Sequence, residues 1–217
     1  MNLQQINISH YGNVRLPSLS PPVIYSYEIA ERVCDELLTS IQNSESTVVG
    51  SKVYGTDHSH QTDDYFRSSD WITVNKETVD KTAALMTSAV NRLCLTQINA
   101  RSIYLAEPLQ FLRYSAERNG HFSMHTDSAW IDGTGTFQYT SPQRILTSIL
   151  YLNENFEGGE LELGSVKTDD GKNLIVKPST GCIVVFPSDL RFPHEAKVVT
   201  KGKRYCVVGW FNVAWRD

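Results

Sequence analysis

No apolar run in this sequence is long enough to cross a membrane. The opening stretch, "MNLQQINISHYGNVRLPSLSPPV", has no hydrophobic core of the kind a secretory leader needs. Basic charge is not in excess: 20 Lys and Arg stand against 24 Asp and Glu, a net charge of −4, so the electrostatic footprint of a nucleic-acid binder is missing. Cysteine is scarce. Cys34, Cys94, Cys182 and Cys206 show no CxxC spacing, which signals neither a zinc site nor a redox pair, and buried, reduced thiols are expected. Internal repeats and low-complexity tracts are absent too. The expectation is a cytoplasmic protein with no nucleic-acid or membrane partner. Its 217 residues suffice for one large domain and are too few for two comfortable ones.

Two segments have helical periodicity. In "SYEIAERVCDELLTSIQ" the apolar residues Ile29, Val33, Leu37 and Ile41 recur every fourth position. In "KETVDKTAALMTSAVNRLCL" the stripe is Val79, Ala83, Met86, Val90, Leu93 and Cys94. A polar stretch, "YGTDHSHQTDDYF", lies between them. After Pro108 the pattern changes to short apolar or alternating runs bounded by Gly, Pro, Asn and Asp: "LQFLRYSA", "RILTSILYLNE", "GGELELG", "NLIVKPS", "GCIVVFP" and "RYCVVGWFNVAW". The expected class is α+β, mainly β with flanking helices. An antiparallel sandwich or barrel carries the helices on one face. A single domain over 1–217 is expected, with helical support and a lid over about 22–107 and a β core over about 108–215.

Within that core, "HFSMHTDSAW" sets His125 two residues before Asp127. Residues i and i+2 of a strand face one way and can share an ion, although a surface His and Asp can be neighbours by accident. A third ligand has to come from elsewhere, and His194 in "RFPHEAKVV" is the best candidate. Two His and one carboxylate form the facial set that suits Fe(II) and leaves coordination positions open; a zinc hydrolase can use the same donors. Ten positions on, Arg204 begins "RYCVVGWF". Counting by twos puts Cys206, Val208 and Trp210 on its face. An arginine on an inward face is costly unless an anion meets it, and a dicarboxylate chelating the metal at its other end would do so. The opposite parity, with Tyr205, Val207 and Phe211 toward the core, fits the periodicity equally well.

These motifs together resemble the 2-oxoglutarate- and Fe(II)-dependent dioxygenases, in their prolyl 4-hydroxylase-like branch, over about Pro22 to Trp215. "PPVIYSYEIAERVCDEL" is similar to that family's opening strand and helix, and "YFRSSDWITV" to its Arg-(Thr/Ser)-Ser segment. "LQFLRYSAERNGHFSMHTD" resembles its strand leading into the metal pair, "RILTSILYLNENFEGGELEL" its Tyr-Leu-Asn and Gly-Gly-Glu-Leu run, and "GCIVVFPSDLRFPHEAKVVTKGKRYCVVGWF" its closing segment. The resemblance implies a double-stranded β-helix, or jelly-roll. It implies Fe(II) on His125, Asp127 and His194, and 2-oxoglutarate held by Arg204, Tyr151 and Tyr114. Asn153 would brace the metal, and Trp210 would wall the site near it. Each tyrosine can also be a core residue with a satisfied hydroxyl.

The implied reaction is hydroxylation of an unactivated C–H by O2, with 2-oxoglutarate leaving as succinate and CO2 and ascorbate supporting turnover. The implied substrate is a prolyl residue in a peptide or protein. Halogenating relatives lack the carboxylate that Asp127 supplies, which argues for hydroxylation. Arg144 sits where some relatives touch substrate, with a structural salt bridge as the equal alternative, and Arg67 is expected either to contact substrate or to brace the lid. "YGTDHSHQTDD" is expected to be a lid, its His58 and His60 solvated, and His121 is assigned no role. Two departures matter. Phe122 stands where the family often has a tyrosine, and "SAWIDGTGTFQYTSPQ" is long and idiosyncratic at the expected substrate entrance. The same chemistry on a free amino acid or another side chain is the nearest rival. A nucleic-acid dealkylating oxygenase fits less well, because Trp210 stands where such relatives place a second Arg. From a different class comes a non-catalytic jelly-roll binding module, which predicts a broken triad or a lost cosubstrate anchor. The sequence sets no oligomeric state.

Overall fold

The computed structural model describes residues 3–8, 12–17, 25–44, 48–50, 53–54, 60–61, 64–131, 137–139 and 141–216. Two antiparallel sheets carry the fold. One runs in the order Tyr25–Glu28, Cys182–Pro187, Leu146–Tyr151, Lys203–Trp215, Gln110–Ser115, Asp70–Ile72, Val48–Gly50, with Ala100–Leu105 also pairing along Lys203–Trp215. The other runs Leu3–Ile8, Gly12–Pro17, Leu161–Thr168, His194–Ala196, His121–His125, Arg67–Ser68, with Asn173–Val176 added to Leu161–Thr168. Most neighbouring strands are distant in sequence, as in a jelly-roll; the pairs Leu3–Ile8 with Gly12–Pro17 and Leu161–Thr168 with Asn173–Val176 are consecutive.

Two apolar cores lie on opposite faces of the first sheet. Leu112, Tyr114, Ile149, Tyr151, Phe186 and Cys206 meet Leu161, Leu163, Val176 and Ala196 of the second sheet to fill the barrel interior. On the other face Leu146, Leu150, Ile183, Tyr205, Val207 and Phe211 pack against the helices. Strand Lys203–Trp215 is therefore buried on both sides. Both parities read from its sequence are correct: Arg204 and Cys206 face the barrel, while Tyr205 and Val207 face the helices. Strand Leu146–Tyr151 behaves likewise, with Thr147, Ile149 and Tyr151 inward. Ile145, grouped with them by parity, precedes the strand and packs on the helix side.

Helix α1 (Glu31–Asn43) buries Cys34, Leu37 and Ile41, and helix α2 (Lys76–Cys94) buries Thr78, Thr82, Met86, Ala89, Val90 and Cys94. Asn75 caps α2 by accepting the Thr78 N–H at 2.9 Å. The buried face of α2 is turned by about one position from its apolar stripe, so Val79 and Ala83 are only partly covered. Thr78 and Thr82 are tolerated inside because their hydroxyls are used. Thr82 Oγ1 donates to the Thr78 carbonyl at 2.7 Å, and Thr78 Oγ1 meets Ser40 Oγ of α1 at 2.6 Å. The segment expected as helical support also supplies strands to both sheets. Of the expected lid, residues 55–59 and 62–63 lie outside the described residues, as do 132–136 and 140 of the idiosyncratic stretch. His58 falls among them, and the side chain of His60 is likewise outside the description. Among the described residues no helix is long and apolar enough to cross a membrane.

Candidate active site

His125 closes its strand and His194 opens the neighbouring one. The two are directly opposite in register, which brings their rings to 4.3 Å between centroids. Asp127 lies just past the strand end, in a bend held by its own N–H and that of Ser128, both donating to the Ser188 carbonyl at 3.1 and 3.0 Å. The result is a cluster in which one ligand atom from each of His125, Asp127 and His194 lies within 4.8 Å of the others. Nδ1 of His125 faces the Ser123 carbonyl at 2.7 Å and Nδ1 of His194 faces the Phe192 carbonyl at 3.1 Å. Those carbonyls place a proton on Nδ1 and leave each Nε2 lone pair for a ligand. Both Nε2 atoms point at the carboxylate, at 3.7 Å (His125 to Oδ1) and 3.5 Å (His194 to Oδ2).

Electrostatics favour the metal-ready forms. Burial, with His194 close by, pushes the His125 imidazole down from 6.5 to about 3, against the opposing pull of Asp127. Burial works against ionised Asp127, but the two histidines, the Thr147 hydroxyl and Arg144 outweigh it and hold its pKa below the ordinary carboxylate value. A neutral His125 imidazole and an ionised Asp127 carboxylate are donors that a divalent cation takes without first displacing protons.

Arg204 is the second pole. It is 2% exposed, and its guanidinium lies over the rings of Tyr114 at 4.3 Å and Tyr151 at 5.4 Å. Nη1 donates to the Gly159 carbonyl at 2.8 Å, Nη2 to Cys206 Sγ at 3.6 Å, and Nε has no hydrogen-bond partner among the described residues. Burial opposes its charge, yet the facing Cys206, Tyr151 and Tyr114 leave its pKa raised. No carboxylate of the described residues pairs with it, so a buried cation stands ready for an anion. The two poles border one interior: Phe186 touches His194 edge-on at 4.7 Å and belongs to the apolar cluster that contains Tyr114 and Tyr151. The residues fit Fe(II) at the triad and an acid's carboxylate at Arg204.

Residues 109–212 match the model of the 2OG-Fe(II) oxygenase superfamily. The β core is similar to this superfamily over the span that carries His125, Asp127, His194 and Arg204. The PKHD-type hydroxylase of Hyphomonas neptunium is 30% identical over 147 residues, which cover 66% of this chain and 59% of that protein. Human prolyl 3-hydroxylase 2 is 33% identical over 96 residues, 42% of this chain and 13% of the relative. The chain thus spans less than two thirds of either relative. The fold is shared with a prolyl hydroxylase from Trichoplax adhaerens, solved in complex with a hypoxia-inducible-factor peptide fragment. Its TM-score is 0.64 at 20% identity, covering 89% of this chain and 85% of that one.

Other expected site residues fall into different places. Asn153 does not brace the metal. Its amide donates to Lys203 O at 2.8 Å and Asn155 Oδ1 at 2.6 Å, while its Oδ1 accepts the Tyr205 N–H at 2.8 Å, so it staples the start of the Arg204 strand. Arg144 is taken up structurally. Nε and Nη2 form a two-pronged pair with Glu107 at 2.8 and 2.6 Å, Nη1 donates to the Asp127 carbonyl at 3.1 Å, and its plane lies 3.7 Å over Trp210. Trp210 is buried on the same wall, opposite Thr147, with no partner for its Nε1 among the described residues. Arg67 is buried, bonded to Ser69 Oγ at 2.9 Å, and sits 4.5 Å over the Phe122 ring. Phe122 stacks on His125 at 3.5 Å, so its ring is an apolar backing plate for the metal ligand. His121 spans two carbonyls, Asn119 O at 2.8 Å and Tyr65 O at 2.9 Å, away from the triad.

Sequence reasoning missed Thr147 and Ser188, whose hydroxyls stand behind Asp127, and Gly159, whose carbonyl holds Arg204. For Thr147 a signal existed: a polar residue at the inward parity of an otherwise apolar strand.

Proposed function

We propose that this protein hydroxylates a prolyl residue in a peptide or protein, using Fe(II), 2-oxoglutarate and O2 and releasing succinate and CO2. One observation carries the reading. A buried guanidinium with no carboxylate partner among the described residues borders the same interior as a two-His, one-carboxylate cluster. His125, Asp127 and His194 would hold the iron, with Nδ1 protons turned to backbone carbonyls so that the ligand atoms face inward. Arg204 would take the far carboxylate of 2-oxoglutarate, with the Tyr114 and Tyr151 rings flanking that end. When bound, the iron and its keto acid supply the oxidising chemistry, coupling decarboxylation to C–H hydroxylation. The protein supplies a dry apolar interior and fixed orientation. Trp210 and Arg144 wall the side next to Asp127.

The prolyl substrate is supported by the sequence resemblance, by the name of the human relative, and by the peptide in the Trichoplax complex. The four free, buried cysteines accord with a reducing, cytoplasmic setting. The test is succinate formation with Fe(II), ascorbate and O2, run alone, with free proline, and with a panel of proline-rich peptides, beside Asp127→Ala. Peptide-stimulated turnover that disappears in the variant is the expected result. Mass spectrometry of the product reads the ring position, with 4-hydroxyproline expected. Turnover stimulated by free proline alone moves the substrate to amino acids. Iron binding without any turnover overturns the reading in favour of a binding module.

A further inference from the structure

Behind Asp127 lies a buried pair of hydroxyls that the proposed reaction does not use. Thr147 Oγ1 donates to Asp127 Oδ2 at 2.6 Å and meets Ser188 Oγ at 2.7 Å; Thr147 is 1% exposed and Ser188 is fully buried. Thr147 has one proton and gives it to the carboxylate, so the Ser188 hydroxyl must donate to Thr147. The order is Ser188 to Thr147 to Asp127. Ser188 also accepts the Asp127 N–H with its carbonyl, so the loop after Pro187 holds this residue directly at the main chain and, through Thr147, at the side chain. The arrangement spans three separate pieces of chain: the bend after His125, strand Leu146–Tyr151, and the end of strand Cys182–Pro187.

We propose that Thr147 is the positioning residue of the metal centre, locking the rotation of the Asp127 carboxylate, and that Ser188 reinforces it as the second member of a two-hydroxyl relay. The histidines do not need such help, since each is fixed by a main-chain carbonyl at Nδ1 and His125 also by the Phe122 stack. Asp127 sits beyond the strand end, where the ladder no longer holds it. A carboxylate that turned would present its oxygens out of register with the two Nε2 atoms. A hydroxyl on one oxygen removes that freedom before the metal arrives, which is where an outer partner gains affinity.

The inference rests on the proposed metal site, and the experiment separates the two. Mn(II) binding to the metal-free protein is measured by calorimetry and by the electron paramagnetic resonance of free Mn(II), with no turnover involved. Thr147→Val keeps the shape and removes the hydroxyl. It is expected to weaken Mn(II) by about 10- to 100-fold, while Thr147→Ser restores binding to within about threefold and the metal-free melting temperatures of the variants stay together. Ser188→Ala leaves the Thr147 bond to Asp127 intact and is expected to weaken Mn(II) by only a few-fold. Wild-type protein that binds no Mn(II) overturns the metal site itself. Wild-type affinity in Thr147→Val overturns the positioning role alone. Should Thr147→Val fail to fold, Ser188→Ala decides: unchanged affinity there overturns the relay.

Discussion

Arg204 illustrates how one residue can be a liability to the fold and an asset to the site. Its guanidinium is buried with a carbonyl and a thiol as its hydrogen-bond partners, a poor exchange for the water it has given up. Arg204→Met is therefore expected to raise the melting temperature of the ligand-free protein. The same change should cost about 3 kcal/mol or more of 2-oxoglutarate affinity, roughly a hundredfold, since one partner of a buried charge pair is lost. Calorimetric titration and a thermal melt of one variant check both signs; a variant that melts earlier and still binds 2-oxoglutarate would sink the assignment. His125 gives a pH dependence. With a folded value of about 3 against 6.5 when unfolded, the unfolded chain binds the extra proton between those limits. Stability of the metal-free protein attributable to this residue is complete above 6.5 and drains away as pH falls toward 3. Thermal melts of wild type and His125→Gln across that window should converge as pH drops.

At the scale of elements, the Gly158-Gly159 turn shows why a short motif is spelled as it is. Both residues have positive φ, at 76° and 67°, and the turn delivers the Gly159 carbonyl to Arg204. A Cβ on Gly159 would lie 3.0 Å from Val199 Cγ2 and 3.1 Å from Arg204 Cδ. Gly159→Ala should thus cost stability through its backbone, about 1 kcal/mol, and also displace the guanidinium. Gly171→Ala is the matched control: its φ is +82° with nothing within 4 Å of the added carbon, so only the backbone cost remains. Equal 2-oxoglutarate affinity in the two variants would show that the turn does not position Arg204. These elements also mark how far the sequence could be read. The clustering of His125, Asp127 and His194 was legible because metal chemistry demands particular residue types, and the barrel strands because apolar runs between turn residues are local signals; periodicity left the face of Arg204 open, because its strand is buried on both sides. The roles of Asn153 and Arg144 were not legible, because amides and guanidinia serve structure and chemistry with the same atoms, and only the partner decides. Glu107 reaches Arg144, and Lys203 reaches Asn153, because Ala100–Leu105 and Leu146–Tyr151 both pair with Lys203–Trp215, a long-range arrangement that no local pattern encodes. The face of α2 was misjudged for a related reason: Thr78 and Thr82 are buried by virtue of hydroxyl partners a periodicity count does not see.

For the whole molecule, the central fact is a strand shared by two cores. Lys203–Trp215 gives Cys206 to the barrel and Tyr205, Val207 and Phe211 to the helix-side core, so neither core can open without stripping one face of that strand. Such sharing predicts one cooperative unit in place of a barrel with detachable helices. The cysteines supply built-in reporters, since Cys94 is fully buried against the helices and Cys206 fully buried in the barrel. Burial pushes the Cys94 thiol up to about 12, so in the folded protein at pH 8 it stays protonated and unreactive. Pulsed labelling with a thiol reagent along a urea series, read cysteine by cysteine by mass spectrometry, is expected to give one midpoint for Cys94 and Cys206. Mn(II) at a hundred times its dissociation constant should move both midpoints upward together by the equivalent of about 2.7 kcal/mol. That holds even though Cys94 belongs to the core on the far side of the shared sheet from the metal ligands. Labelling of Cys94 at lower urea than Cys206, or a Mn(II) shift confined to Cys206, would mean that α1 and α2 melt from the sheet on their own. The shared strand would then be a contact surface and not a coupling element.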